Sequence, residues 1–183
     1  YHRKMGEVLL GVGLGLGFSN KKIDFSYFNV QGEDPLLTST DEESGMIFDI
    51  DAGAVLQKEE KWFIGLSSTH LNQGSMEIAG GRSKLSRAYY LSGEYILNFL
   101  RMPKLQIKPS LFIGYTANAP LLLNGGVIGD YNKVFWGGVI YKHQEGIALM
   151  AGVNIKNIKV GYAYDINTNA LKNGGSHEIR LGY

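Results

Sequence analysis

Side chains alternate with period two along most of this chain, and that alternation restricts it to β-strands. The segment Glu7 to Ser19 is the plainest case. Val8, Leu10, Val12, Leu14, Leu16 and Phe18 point one way, while Leu9, Gly11, Gly13, Gly15 and Gly17 point the other. A helix would scatter these glycines over its surface, each costing up to ~1 kcal/mol relative to alanine. A strand gathers them on one face. The same alternation marks Met46–Leu56, Tyr89–Phe99, Leu105–Tyr115, Ile147–Ile155, Ile158–Tyr164 and Ile179–Tyr183. With the less regular stretches Lys61–His70, Leu121–Asp130 and Val134–Lys142, about ten strands are expected, mostly of the length a tilted membrane strand requires. No segment has helical periodicity and none reads as a linker, so a single all-β unit spanning residues 1–183 is expected.

Composition narrows the choice of β-fold. Mean hydropathy is −0.09 and no run of eighteen apolar residues occurs, which excludes a transmembrane helix but not a transmembrane β-barrel. The 25 glycines are about twice the usual share of ~7%. The 18 basic and 17 acidic side chains nearly cancel, leaving no electrostatic footprint for nucleic acid. Cysteine is absent, so disulfides and thiol chemistry are excluded. The chain opens at Tyr1 without a methionine or an apolar leader, as a mature or truncated product would.

The expected connections are 19–44, 58–60, 71–86, 100–104, 117–120, 131–133, 143–145, 154–157 and 165–175. Every long one falls at an odd place, hence at one end of an up-and-down meander, as in outer-membrane barrels. Trp62, Tyr89, Tyr115, Trp136, Tyr141, Tyr162, Tyr164 and Tyr183 lie near strand ends, where aromatic rings line membrane interfaces. The expected fold is therefore an up-and-down antiparallel transmembrane β-barrel. A soluble sandwich or lipocalin-like binder would use the same alternation with its apolar rows turned inward.

Little points to catalysis. Gly11 to Gly17 does not match G-x-G-x-x-G, because the third glycine would fall on Leu16, and small residues leaving room in a lumen explain the run better. Asp49, Asp51 and Glu94 fall on polar strand faces and are expected to face the lumen, although paired carboxylates could in principle do acid–base work. His2, His70, His143 and His177 form no local ligand pair, and Asp41-Glu42-Glu43 reads as a solvated acidic surface. No catalytic residue, metal site or cofactor is expected.

Several stretches carry more than a strand pattern. They are Lys22–Phe25, Lys108–Leu111, Asn118–Leu121, Asn132–Lys142 and above all Gly161-Tyr162-Ala163-Tyr164-Asp165-Ile166, Leu171 and Gly175-Ser176-His177-Glu178-Ile179. On these residues the chain resembles the PorP/SprF family of Bacteroidota outer-membrane proteins. The resemblance implies a non-enzymatic barrel of the type IX secretion and gliding machinery, partnered by outer-membrane lipid, by a secreted surface protein or adhesin, and by other secretion components. Family members are longer, so it also implies that this chain corresponds to the C-terminal portion of the family barrel. Ser176, His177 and Glu178, beside a long loop, are the expected partner contact, together with loops 19–44 and 71–86. The rival reading is an outer-membrane channel or solute transporter, which requires an open, charged lumen.

Overall fold

Backbone pairing extends the β-structure past the points where the apolar alternation stops. The computed structural model describes residues 1–24, 42–78, 81–168 and 175–183. It contains β1 (His2–Met5), β2 (Val8–Asp24), β3 (Glu42–Lys58), β4 (Trp62–Thr69), β5 (Ser75–Ile78), β6 (Gly81–Lys84) and β7 (Ala88–Tyr95). These are followed by β8 (Leu97–Phe99), β9 (Met102–Thr116), β10 (Leu122–Tyr131), β11 (Phe135–Lys142), β12 (Gly146–Ile155), β13 (Ile158–Asn167) and β14 (Ser176–Gly182). Twelve strands form one sheet in the order β1-β2-β3-β4-β7-β9-β10-β11-β12-β13-β14, with β8 beside β9. Every neighbouring pair is antiparallel, which makes the sheet an up-and-down meander of the transmembrane-barrel type. Its two edge strands, β1 and β14, do not pair with each other.

The ten long strands are those the alternation marks, with differences at the margins. Ile96 interrupts one expected strand and divides it into β7 and β8. β1 and the β5–β6 hairpin fall outside the expected ten, the hairpin lying inside the expected loop 71–86, where the alternation of Met76 and Ile78 covers only the four residues of β5. β2 and β3 each run 17 residues and pair from Val8↔Lys58 to Asp24↔Glu42, so most of the expected loop ends at 19–24 and 42–44 is ladder. The ladder is made by backbone N–H and C=O groups, so Ser19, Asn20 and Lys22 can sit in it without an apolar face. Loop residues Phe25 and Asp41, and Leu171 of the last long loop, lie outside the described residues.

Apolar side chains face away from the protein. Leu14, Leu16 and Phe18 are 79%, 73% and 75% exposed, and among the described residues the buried apolar side chains are only Ile47, Met76, Ala88 and Ala148. The register joins the exposed residues into one band across the sheet, through Phe18↔Phe48, Leu66↔Leu91↔Ile113, Val127↔Val139↔Leu149↔Tyr164 and Tyr162↔Ile179. A soluble sandwich would place this band inside; here the band is on the outside. Aromatic residues border it on both sides. Trp62↔Tyr95 and Tyr131↔Phe135 lie at the end with short turns, with Tyr183 just past β14, and Tyr89↔Tyr115 and Tyr141 lie at the loop-bearing end, while Tyr162, opposite Ile179, stands mid-strand within the band. The six-residue step from Tyr89 to Tyr95 spans about 20 Å of strand, in keeping with the height of a membrane band once tilt is allowed for.

Trp136 leaves the expected aromatic border for the other face. It stands in register with Asp130 and Gly152, on the polar face, and its indole lies over β12 and reaches β13. A Cβ at Gly152 would overlap both Trp136 Cζ2 and the Val160 carbonyl, and one at Gly161 would lie 2.9 Å from Trp136 Cζ2. A strand-end position does not reveal which face a residue takes; here the parity of β11 does. Lys142 crosses β12 in the same way to reach Asp165 on β13 at 2.7 Å. The small inward residues of β12, Gly146, Ala148 and Gly152, let both side chains lie flat against the wall.

Candidate functional site

The polar face is built from what remains once the apolar residues are committed to the other side. On β2 it presents Gly11, Gly13, Gly15 and Gly17, opposite Val55, Gly53, Asp51 and Asp49 of β3. Gly65 and Ser67 of β4 and Ser92 of β7 continue the surface. Nothing stands within 4 Å of a Cβ placed on Gly13 or Gly17, and an open trough lined by Gly11, Gly13 and Gly15 has a volume of about 680 Å³. Further round the sheet the charges are paired: Lys108 reaches Asp130 at 3.4 Å and Lys142 reaches Asp165 at 2.7 Å.

At the loop-bearing end, β3 outruns its neighbour. β4 stops at Thr69 and its ladder with β3 ends at Ala52↔Ser68, leaving the β3 edge from Phe48 to Ile50 without a strand beside it. The connection that follows supplies the missing partners. Leu71 N–H donates to Ile50 O at 2.8 Å, Ile50 N–H donates to Asn72 Oδ1 at 3.1 Å, and Asn72 Nδ2 donates to Phe48 O at 2.7 Å. A single asparagine side chain thus takes the donor and acceptor roles of an absent strand. Arg87 Nη2 donates to Leu71 O from the far end of the loop, and Met76 and Ile47 are both buried near Gly74, where a Cβ would overlap Ile47 Cγ2.

His70 turns this connection toward the polar face. Its φ of +56° ends the ladder in the left-handed region, which a histidine occupies rarely. Its N–H donates to Asp51 Oδ1 at 3.0 Å, and its Nδ1 lies 2.6 Å from Asp49 Oδ2. Asp49 and Asp51, expected on a lumen wall, lie on the polar face and hold a loop there. Glu94 shares that face but sits beside Phe63 and Ser110, six residues along β7 from the loop end, so the three carboxylates do not meet.

Replacing Asn72 with alanine removes two of the three bonds to the bare β3 edge. We expect the 70–87 connection to open, seen as at least tenfold faster cleavage at Lys84 or Arg87 by trypsin while the rest of the sheet stays resistant.

The expected contact Ser176-His177-Glu178 opens β14, and strand alternation divides it. His177 lies on the apolar face opposite Tyr164, with the ring centroids 4.7 Å apart, and shares a 2.6 Å hydrogen bond between its Nδ1 and Tyr162 Oη. Ser176 and Glu178 take the polar face, opposite Asp165 and Ala163. The three do not converge on one point. What the sequence pattern misses is the approach of His70 to Asp49 and Asp51 and the side-chain crossings of Trp136 and Lys142. The one signal available for the former is register, since continuing the β3–β4 ladder by two residues sets His70 opposite Ile50, between the two aspartates.

No helix among the described residues is long and apolar enough to cross a membrane. Comparison with known proteins gives one match, and no curated protein or solved structure matches the chain. The match is to the model of the type IX secretion system membrane protein family PorP/SprF and extends over residues 1–183. An exposed apolar band on an up-and-down sheet agrees with a membrane protein of that kind, and the chain belongs to the PorP/SprF family of type IX secretion system membrane proteins.

Proposed function

We propose that this chain acts as one non-enzymatic unit in the outer membrane, holding a secreted cell-surface protein for the type IX secretion and gliding machinery. The observation that carries this reading is the division of the sheet, with an exposed apolar band on one face and every long connection at one end. The band would meet outer-membrane lipid. The loop-bearing end, including the clamped 70–87 connection, Ser176 and Glu178, would meet the secreted protein, and the short-turn end would meet other secretion components. Paired charges on the polar face, Lys108–Asp130 and Lys142–Asp165, and the indole of Trp136 support a filled wall over an open ion-conducting one.

The test pairs a gene deletion with planar-bilayer recording of the purified protein. The expected result is surface proteins lost from the cell exterior, retained inside the envelope, and little conductance from the pure protein. Normal surface display together with stable stepwise conductance would replace this reading with the channel.

A further inference from the structure

We propose that Asp49, Asp51 and His70 form a binding site for a first-row divalent transition-metal cation of the Zn²⁺ type, which locks the 70–87 connection onto β3. One ligand atom from each residue lies within 4.8 Å of the others. The three come from two separate pieces of chain, β3 and the residue after β4, and the left-handed backbone of His70 is what delivers the imidazole to the carboxylates. His70 Nδ1 and Asp49 Oδ2 stand 2.6 Å apart. Two ligands held at about 2.1 Å from one tetrahedral metal lie about 3.4 Å apart, so the ion takes the place of the hydrogen between the two atoms once they part by somewhat under ~1 Å.

The surroundings suit coordination. Asp49 and Asp51 are each opposite a glycine of β2, Gly17 and Gly15. No atom lies within 4 Å of a Cβ built on Gly17, which leaves the β2 side of Asp49 open for the waters that complete a coordination shell. Asp49 is only 17% exposed and His70 34%, so the ligands are partly withdrawn from bulk solvent and held by the β3 ladder and the left-handed turn. One imidazole nitrogen with two carboxylate oxygens selects zinc or a neighbouring transition metal over Mg²⁺ or Ca²⁺, which take oxygen ligands. An ion here would join the end of β4 to β3 at the point where the β3–β4 ladder has ended.

The experiment uses the full chain in detergent micelles, without a histidine tag, titrated with ZnCl₂ by calorimetry and assayed for retained zinc after desalting. One zinc per chain is expected, with MgCl₂ at the same concentration displacing none of it. H70A and D49N should each weaken binding at least tenfold. The H2A/H143A/H177A triple variant, which keeps all three ligands, should bind as the parent does. Zinc should also slow tryptic cleavage at Lys84 in the parent and not in H70A. Equal zinc binding by the parent and H70A, loss of binding in the triple variant, or no saturable binding by the parent overturns the proposal and leaves a His–Asp hydrogen bond alone at this position. None of these readouts depends on secretion, so failure here is distinguishable from failure of the functional reading.

Discussion

Leu66→Arg is expected to lower the stability of the folded, membrane-inserted protein by about 2–4 kcal/mol, while Ser67→Arg, one residue along, changes it by less than about 1 kcal/mol. Leu66 is 60% exposed and stands between Ala54 and Leu91 in the middle of the apolar band, so a guanidinium there would have to be taken into hydrocarbon. Ser67 points to the opposite face and lines the open trough beside Gly53, where a long cation finds room and solvent. The measurement is urea unfolding of each variant refolded into lipid vesicles, read by heat-dependent mobility on an SDS gel. Equal losses for the two positions would mean that the faces are not divided between lipid and water.

The second large effect is expected at Gly152. Alanine there should cost about 1–3 kcal/mol, because its methyl group would overlap the Trp136 ring and the Val160 carbonyl, and the carbonyl is fixed by the β12–β13 ladder. The indole would have to leave the wall, which Trp136 fluorescence in an otherwise tryptophan-free background (Trp62→Phe) reports as a shift in emission maximum. Gly13→Ala is the matched control. It has the same chemistry on the same face, yet its methyl group meets nothing within 4 Å, so unchanged or slightly raised stability, by about 0.4–1 kcal/mol, is expected. If both alanines behave alike, the indole does not rest on Gly152. The contrast separates two roles for glycine that look identical in composition: leaving space open on β2, and admitting an aromatic ring on β12.

The apolar face was legible because it is a local property. A strand fixes the facing of residue i+2 from that of residue i, so Leu10 through Phe18 declare a common face without knowledge of anything else in the chain. The ten long strands and the placing of the long connections at one end follow from the same rule. Where the rule depends on apolar side chains it stops early, as at Ser19 and Glu42, because polar residues pair their backbones equally well. It is silent on β1 and β6, and too brief to mark β5, where only Met76 and Ile78 alternate with polar residues.

The triplet Ser176-His177-Glu178 shows the opposite failure, since adjacency in sequence implied a shared surface. Extended backbone turns adjacent residues to opposite faces, and His177 joins Tyr162 and Tyr164 on the apolar side, away from its neighbours. Trp136 was likewise grouped with the aromatic border by its nearness to a strand end, although the parity of β11 sets it on the polar face with Asp130 and Gly152.

By itself, then, the sequence determined that this chain is an antiparallel sheet with one apolar face, because two-residue alternation and glycine placement are properties of the extended backbone and need no partner. Which way that face turns, and what gathers on the other side, only the tertiary structure decided. The outward turn of the apolar band, the glycine trough, the ring of Trp136 over Gly152 and the meeting of His70 with Asp49 and Asp51 all depend on register and on where β4 ends. Those are relations between residues sixteen or more positions apart, made by backbone hydrogen bonds that are chemically alike at every position, so no local pattern of side chains encodes them.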